Sequence, residues 1–326
     1  MPRIYEILTI LRSIISALFD SVWVGLPYLP LIPFVLRTII KDQLNHELYV
    51  LRKEWNEEYD YIVIGGGSGG SVMASRLSED FSVSVLLLEA GIAENFLSDV
   101  PMASIILQRS PMDWSFKTTP QTKCCRGMEG HQSIWPRGKC MGGTSTINTM
   151  VYMRGNRRDY DKWAANGCDG WSWPEVFPYF IKAEDNQDPK YIASGYHGVG
   201  GPLTVTSSQD PRKADIAFQE AGAYIGYPSG DVNGESQSHF TIPQRTIRNG
   251  QRCSVAKAYL EPLVYRKNLK VLIKSYVTRI VFDDQKRAIG VEFDRFFNKY
   301  FVRARIEVIL SAGTINSPKI LMLSGL

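Results

Sequence analysis

Two glycine-rich segments contain the residues of this chain that are best suited to chemistry. The first covers residues 65–70, five glycines and one serine, and the second covers residues 138–148. Glycine leaves backbone N–H groups accessible, and the N–H groups at the start of a helix bind phosphate oxygens without a cationic side chain. Either segment alone could be a turn, whereas the two together predict a cradle for a large dinucleotide.

The first segment lies between a predicted strand and a predicted helix. Residues 61–64 are apolar and rich in β-branched side chains, as in a buried parallel strand, and residues 71–79 have helical spacing. Residues 83–88 form a second predicted strand that ends at Glu89, where a carboxylate can accept hydrogen bonds from ribose hydroxyls. The sequence therefore predicts one βαβ unit with a dinucleotide fingerprint.

Three glycines of this fingerprint have separate expected roles. Gly65 permits the tight turn, Gly67 lets the backbone approach a diphosphate, and Gly70 allows the helix to pack closely on the strand. A carboxylate at Glu89 favours free ribose hydroxyls over a ribose phosphate, so the candidate cofactors are FAD and NAD rather than NADP. The alternative is a glycine-rich turn without a ligand.

The second segment resembles a known signature. Residues 138–148, with Tyr152, Gly155 and Asp161, are similar to the first signature of the glucose–methanol–choline (GMC) flavoprotein oxidoreductases. Met141 stands where the family usually has a branched aliphatic residue, which is a change of similar volume.

Further segments extend the resemblance. Residues 313–326 are similar to the second signature of the family and stop one residue before its closing glycine. Residues 246–254 and 276–280 resemble segments of the family's glucose-dehydrogenase-like branch. The resemblance covers residues 59–326 and favours FAD over NAD.

The resemblance implies a flavin enzyme that oxidises alcohols. A hydride would pass from the alcohol carbon to FAD while a base removes the hydroxyl proton, so the implied partners are a small-molecule alcohol and an electron acceptor. The family's base is a histidine in the carboxy-terminal third. It is expected beyond Leu326, no catalytic residue is assigned within the chain, and the chain alone is expected to be inactive. The alternative is a truncated flavin-binding protein without catalysis.

The same resemblance implies cofactor contacts outside the first segment. Asn148 and the backbone around Cys140 and Gly143 are expected to line the flavin, and the Val277 backbone to meet the adenine. Packing alone could explain Cys140 and the Val277 side chain, whereas the amide of Asn148, after a glycine turn, has little packing value. The expected cofactor-binding residues are Gly65, Gly67, Gly70, Glu89, Cys140, Gly142, Gly143, Asn148, Thr149, Met150, Val151 and Val277.

Composition gives little support to other kinds of site. The net charge is +4, with 37 basic and 33 acidic residues interspersed, so we expect no nucleic-acid partner. Five cysteines without a C-x-x-C pair indicate neither a zinc site nor a complete disulfide framework, and no metal site is expected. The four histidines lack neighbouring nucleophiles or ligand spacing, so most are expected at the surface or as capping residues.

The order of predicted elements indicates an α/β fold. We expect a Rossmann-like FAD-binding domain that is discontinuous in sequence, with an inserted α+β substrate domain and an incomplete carboxy terminus. Five short runs within residues 269–310 predict a meander that leads into a strand-to-helix turn beside the first sheet. The predicted boundaries are 56–160 for the βαβ unit and the loops that cover the flavin, 161–240 for the insertion, and 241–326 for the return to the FAD-binding domain.

Residues 1–55 form a predicted hydrophobic leader. Residues 21–36 carry no charge, but Pro27, Pro30 and Pro33 would interrupt a membrane-spanning helix there. A secretory signal, an amino-terminal anchor and a leader that packs on its own protein all fit this pattern. The expected location is secreted or membrane-anchored, with membrane contact through the leader only.

Overall fold

The computed structural model describes residues 54–326, so nearly all of the predicted leader lies outside the described residues. Within residues 54–326, no helix combines the length and the apolar character needed to cross a membrane.

The strands of the described part are β1 (Glu58–Ile64), β2 (Val85–Leu88), β3 (Phe116–Lys117), β4 (Ile134–Trp135), β5 (Glu184–Asn186), β6 (Leu203–Val205), β7 (Ile247–Arg248), β8 (Gln251–Arg252), β9 (Leu269–Leu272), β10 (Tyr276–Phe282), β11 (Ala288–Arg295) and β12 (Asn298–Leu310). The α-helices are α1 (Ser68–Leu77), α2 (Phe96–Asp99), α3 (Ser104–Leu107), α4 (Thr144–Ile147), α5 (Arg157–Ala165), α6 (Trp173–Ala183), α7 (Pro189–Ile192), α8 (Lys213–Tyr224), α9 (Val255–Tyr259) and α10 (Gly313–Leu323).

Six strands form the central sheet, in the order β10-β11-β12-β1-β2-β9. The four strands from β12 to β9 are parallel: Ile62 of β1 pairs with Val308 on one side and Leu86 on the other, and Leu87 pairs with Val271. The strands from β10 to β12 pair antiparallel. The predicted βαβ unit and the α/β class are therefore confirmed.

The central strands are buried on both faces, which explains their continuous apolar sequence. Ile62 and Phe293 pack in one core cluster, together with Ile320 of α10. Val63 points to the opposite face and packs in a second cluster with Ala74 of α1. Alternate side chains of β1 thus enter two different cores, and a helix covers each face.

The predicted meander is wrong in its first strand. The run that begins at Leu269 is β9, which pairs parallel with β2 at the opposite edge of the sheet. The Asn268 amide fixes it there, because Nδ2 donates to three backbone oxygens between α1 and β2, those of Ser78 (3.1 Å), Asp80 (2.9 Å) and Val83 (3.0 Å).

The meander is also wrong in its last two strands, because residues 300–303 and 306–310 belong to one strand, β12. Arg305, between the two apolar runs, binds Asp60 (2.8 Å) and Glu58 (2.9 Å) on the neighbouring strand β1 and so does not interrupt β12. The predicted turn from this strand to a helix is confirmed. Ser311 N donates to Ile64 O at 2.8 Å, which places the start of α10 beside the end of β1.

The insertion combines helices with the short parallel pair β5–β6. Tyr160, one residue before the predicted insertion, is the centre of an aromatic cluster, with ring centroids of Trp163, Trp173 and Phe180 at 5.2, 5.6 and 5.7 Å. These contacts join α5 to α6. The boundaries at residues 160 and 240 stay a prediction.

Candidate functional site

The two glycine-rich segments are in contact. Gly142 N donates a hydrogen bond to Gly66 O at 2.8 Å, and a Cβ on Gly143 would lie only 2.7 Å from Gly67 Cα. Gly143 has φ +55° and ψ −134°, a conformation that is essentially restricted to glycine. The two halves of the predicted cradle therefore lie against one another.

A third backbone segment, the turn from β12 to α10, closes on the first glycine segment. Gly65 has φ +96°, and a Cβ there would lie 2.6 Å from Ser311 O. A Cβ on Gly70 would lie 1.8 Å from Gly65 O. Side chains at these two positions would collide with backbone atoms, so the tight turn and the close packing of α1 on β1 both require glycine.

A cavity of 370 Å³ opens where the three segments meet. Its wall includes Ser68 and Gly69 at the start of α1, and Gly313 and Thr314 at the start of α10. The first N–H groups of a helix have no partner within the helix and carry partial positive charge, so both helix ends favour an anionic group. The start of α10 thus brings a second helix end that favours an anion to the cavity, beside the predicted one.

The ionisable side chains of the wall also favour an anion. Besides the Tyr276 phenol, they are Glu89, Arg137 and Lys319, two cations and one acid. Lys319 is held toward the wall by a 3.3 Å hydrogen bond from Nζ to the Tyr276 hydroxyl. Excess positive charge beside two helix starts complements a diphosphate.

Glu89 lies at the cavity wall, at the end of β2 as predicted. It is buried, and its two carboxylate oxygens accept hydrogen bonds from Gly66 N (2.7 Å) and Gly91 N (2.8 Å). Burial raises the pKa of Glu89 to about 7, although the two N–H donors oppose that shift. The carboxylate thus fixes both glycine-bearing turns around it.

Aromatic side chains of residues 113–116, in the segment after β2, form part of the cavity wall. Trp114 and Phe116 stack with ring centroids 5.9 Å apart, and Tyr276 lies 6.1 Å from Trp114. Buried Asp113 holds this segment by accepting hydrogen bonds from Arg137 N (2.8 Å) and from two neighbouring N–H groups.

Of the predicted cofactor residues, five line the cavity: Gly65, Gly67, Glu89, Gly143 and Val277. Val277 is buried and pairs with Phe293 across the β10–β11 edge, so packing explains its side chain. Gly70 lies just behind the wall, against Gly65.

The other predicted residues lie outside the cavity wall. Cys140 is fully buried, and burial raises the pKa of its thiol well above the usual range. Gly142 supports the turn, since a Cβ there would lie 2.3 Å from Thr146 Oγ1. Met150 is buried with φ +64°, whereas Thr149 and Val151 are exposed beside it.

Asn148 is exposed but its side-chain oxygen is engaged. Oδ1 accepts from Met150 N at 2.9 Å and from Arg252 NH1 at 3.0 Å. Arg252 is itself buried and donates to the oxygens of Ser98 (2.8 Å) and Ser145 (3.1 Å). The hydrogen bonds of Asn148 and Arg252 therefore fix the backbone position of the residues that follow the second glycine segment.

Sequence reasoning missed several residues of the cavity wall. Tyr276 and Lys319 lie within segments that resemble the family, but the resemblance implies no role for them or for Arg137, and the fold brings the three together. The first turn of α10 could be found, because an apolar run followed by Ser311, Ala312 and Gly313 repeats the strand-to-helix junction of the first segment.

The expectation that most histidines lie at the surface or cap a helix is wrong for His197. Its side chain is fully buried, with one ring nitrogen 2.8 Å from Glu184 and the other 2.8 Å from Asp231. These partners lie 13 and 34 residues away in sequence, so the local sequence gives no sign of the burial.

Comparison with protein families gives one match that covers most of the chain. The sequence model described as GMC oxidoreductase matches residues 59–326.

Curated relatives and solved structures agree with this match. The chain is 43% identical over 276 residues to a glucose dehydrogenase [FAD, quinone] of Drosophila melanogaster, covering 84% of this chain and 44% of the relative. It is 42% identical over 272 residues to an oxygen-dependent choline dehydrogenase of Brucella melitensis, covering 82% and 48%. A crystal structure of pyridoxine 4-oxidase from Mesorbium loti superposes with a TM-score of 0.73 at 34% identity, covering 82% of this chain and 52% of that one. The chain therefore spans about half the length of these proteins.

Proposed function

Because the chain belongs to the GMC oxidoreductase family, we propose that it binds FAD in the cavity between its two glycine-rich segments. In this proposal the chain is the cofactor-binding part of an oxidoreductase that acts on CH–OH donors. The observation that carries this proposal is the contact between Gly67 and Gly143, since it brings both glycine-rich segments to one cavity. A small-molecule alcohol and an electron acceptor are the proposed partners, and the names of the relatives favour a small polar alcohol.

The residues around the cavity suit FAD. The first N–H groups of α1 and α10 would hold the diphosphate, Glu89 would accept hydrogen bonds from the ribose hydroxyls, and the Val277 backbone would meet the adenine. Because Gly65 and Gly143 have no Cβ, the three backbone segments approach closely enough for these groups to converge.

FAD, when bound, supplies the acceptor for the hydride. We place the flavin side of the site along the second glycine segment and the residues that follow it, with Cys140 and Gly142 as packing behind the backbone. Asn148, Thr149 and Val151 are exposed there, and Met150 fixes the turn between them. The Asn148 oxygen is held internally, which leaves its amide N–H groups to a ligand.

The general base is proposed to lie outside residues 54–326. No histidine within residues 54–326 lines the cavity, and none of them is proposed to take the hydroxyl proton. We therefore expect the chain alone to retain FAD weakly and not to turn over an alcohol.

The test is to express the 326-residue chain, desalt it, and record flavin absorbance, with mass spectrometry of the released cofactor. FAD is the expected result. Retention of a nicotinamide nucleotide, or displacement of a yellow cofactor by NAD, would contradict the proposal. Sustained alcohol oxidation by this chain would overturn the placement of the base.

A further inference from the structure

A buried ion cluster lies within the insertion, outside the cavity wall. The Nδ1 atom of His197 is 2.8 Å from Glu184 Oε1, and Nε2 is 2.8 Å from Asp231 Oδ2, with the imidazole fully buried. A neutral imidazole can donate from only one nitrogen, whereas ionised carboxylates at both nitrogens require a proton on each. Although burial opposes the shift, hydrogen bonds to His197 lower the pKa values of both Glu184 and Asp231. The Asn186 amide nitrogen, 2.9 Å from Nδ1, uses its two hydrogens on Glu184 and Gln244. The ring is therefore an imidazolium that bridges two acids.

Both acids are connected to residues 152–154 through hydrogen bonds and an ion pair. The buried Arg154 guanidinium binds Glu184. Asp231 accepts from Asn233 N at 2.8 Å, and the Asn233 side chain then accepts from Arg154 N (2.9 Å) and donates to Tyr152 O (3.1 Å). The imidazolium thus connects to this segment from two sides.

A pair of side-chain amides makes a third connection. Asn186 Nδ2 donates to Glu184 Oε1 (2.8 Å), and Asn186 exchanges two hydrogen bonds with Gln244 (3.0 and 3.1 Å). The Gln244 backbone oxygen accepts from Tyr152 N at 2.9 Å, and Thr246 N donates to Met150 O at 2.9 Å. Three routes from the cluster therefore end on residues 149–154.

We propose that His197 is a positioning residue, whose imidazolium between Glu184 and Asp231 fixes the path of residues 149–154 and thereby the flavin side of the site. The last step rests on the proposed function, which assigns Thr149, Met150 and Val151 to the flavin. With Arg154 and His197 both charged, the cluster is neutral. Loss of the imidazolium charge leaves the buried Glu184 and the partly buried Asp231 facing one cation, which costs stability in this part of the chain.

The cluster should respond to alkaline pH. Burial opposes the charged ring, but hydrogen bonds to Asp231 and Glu184 outweigh it and raise the pKa of His197 to about 9. The other titratable groups around it are Arg154, Tyr152, whose hydroxyl accepts from Arg154 Nε at 3.3 Å, and Tyr191, whose ring centroid is 5.5 Å away. Burial raises the pKa of both tyrosines, that of Tyr152 to about 12. The stabilisation is therefore present below the ordinary histidine pKa and is lost as pH rises through about 9.

Hydrogen exchange of the Tyr152 and Thr246 amides, measured on the 326-residue chain without cofactor, tests this inference. In the unmodified chain their protection factors should fall as pH rises through about 9. In His197→Gln they should already be lower at neutral pH by about tenfold to a hundredfold, with no further alkaline step. His131→Gln, at an exposed histidine, should behave as the unmodified chain.

Unchanged protection in both measurements would overturn the inference. So would an equal loss at the amides of Ile62 and Leu86 in the central sheet, which would indicate a general structural role. If His197→Gln does not fold, the change in amide protection of the unmodified chain with alkaline pH still tests the inference.

A second readout separates this inference from the proposed function. Titration with FAD should give a weaker complex or an altered flavin circular dichroism spectrum for His197→Gln. A loosened segment with unchanged flavin binding and spectrum would overturn the link to the flavin, whereas failure of the unmodified chain to bind FAD would contradict the proposed function instead.

Discussion

Gly143→Ala should separate the two halves of the cradle. Its Cβ would lie 2.7 Å from Gly67 Cα, a backbone atom that no rotamer change can move. The conformation at φ +55° and ψ −134° costs a non-glycine residue roughly 1–3 kcal/mol before any collision is counted. We therefore expect the free energy of unfolding to fall by about 3 kcal/mol and FAD retention to fall with it.

Gly67→Ser should weaken FAD binding while leaving the stability of the fold nearly unchanged. A Cβ on Gly67 would meet only Gly143 Cα, at an ordinary distance of 3.8 Å. Gly67 is the N-cap residue of α1 with extended backbone, where serine is favoured, so stability should change by less than about 0.5 kcal/mol. The side chain nevertheless stands at the cavity wall, where its hydroxyl competes with a phosphate for the first N–H groups. FAD affinity should fall by about tenfold or more.

Urea unfolding and fluorescence titration with FAD measure the two effects separately. Gly127→Ala is the matched control, because Gly127 is exposed and a Cβ there has no neighbour within 4 Å. The reasoning is refuted if Gly143→Ala leaves stability unchanged, or if Gly67→Ser lowers stability as much as Gly143→Ala while FAD affinity is retained.

Three further predictions concern stability. Burial raises the pKa of Glu94 to about 7, so the unfolded state loses its proton first and the free energy of unfolding falls as pH rises from the ordinary glutamate pKa to about 7. Glu94→Gln should remove about half of that decline, measured by urea unfolding at several pH values, since the pKa of Glu89 is also raised to about 7. An unchanged dependence of the free energy of unfolding on pH would contradict this. Arg252→Met leaves the oxygens of Ser98 and Ser145 unpaired and should cost about 3 kcal/mol, whereas the exposed Arg212→Met should cost less than about 1 kcal/mol; equal costs would be a contrary result. Asn268→Asp loses the amide donors that fix β9 and should cost about 2 kcal/mol in thermal unfolding, while the same midpoint as the unmodified chain would count against that role.

Short-range pattern was enough to predict the first βαβ unit. The apolar run of β1, the glycines after it and Glu89 at the end of β2 are close in sequence, and each has one physical explanation. The position of β9 was not predictable in this way, because it depends on hydrogen bonds from Asn268 to backbone oxygens nearly two hundred residues earlier.

For the candidate site, as for the fold, the sequence predicts the parts that depend on short-range pattern. Positions where glycine is required can be recognised from a motif, but Tyr276 and Lys319 reach the cavity only after β10 has paired at the edge of the sheet and α10 has packed on its face. His197 illustrates the same limit, since its two acids come from β5 and from a distant loop. Long-range packing determines such side chains, and periodicity does not report it.

The glycines of the first segment, which look alike in sequence, differ in what makes them necessary. A Cβ on Gly65 or Gly70 would strike a backbone oxygen, so both are required for the fold itself, before any ligand binds. A Cβ on Gly66 would meet side chains rather than backbone, the sulfur of Met141 at 3.0 Å, which can move, and the Cβ of Glu89 at 3.2 Å. Gly67 has ordinary space around it, so we attribute its need for glycine to the proposed contact with the cofactor. The dinucleotide fingerprint therefore combines two requirements, one imposed by the turn and one by the diphosphate, and only the second should be lost in a relative that keeps this fold without binding a nucleotide.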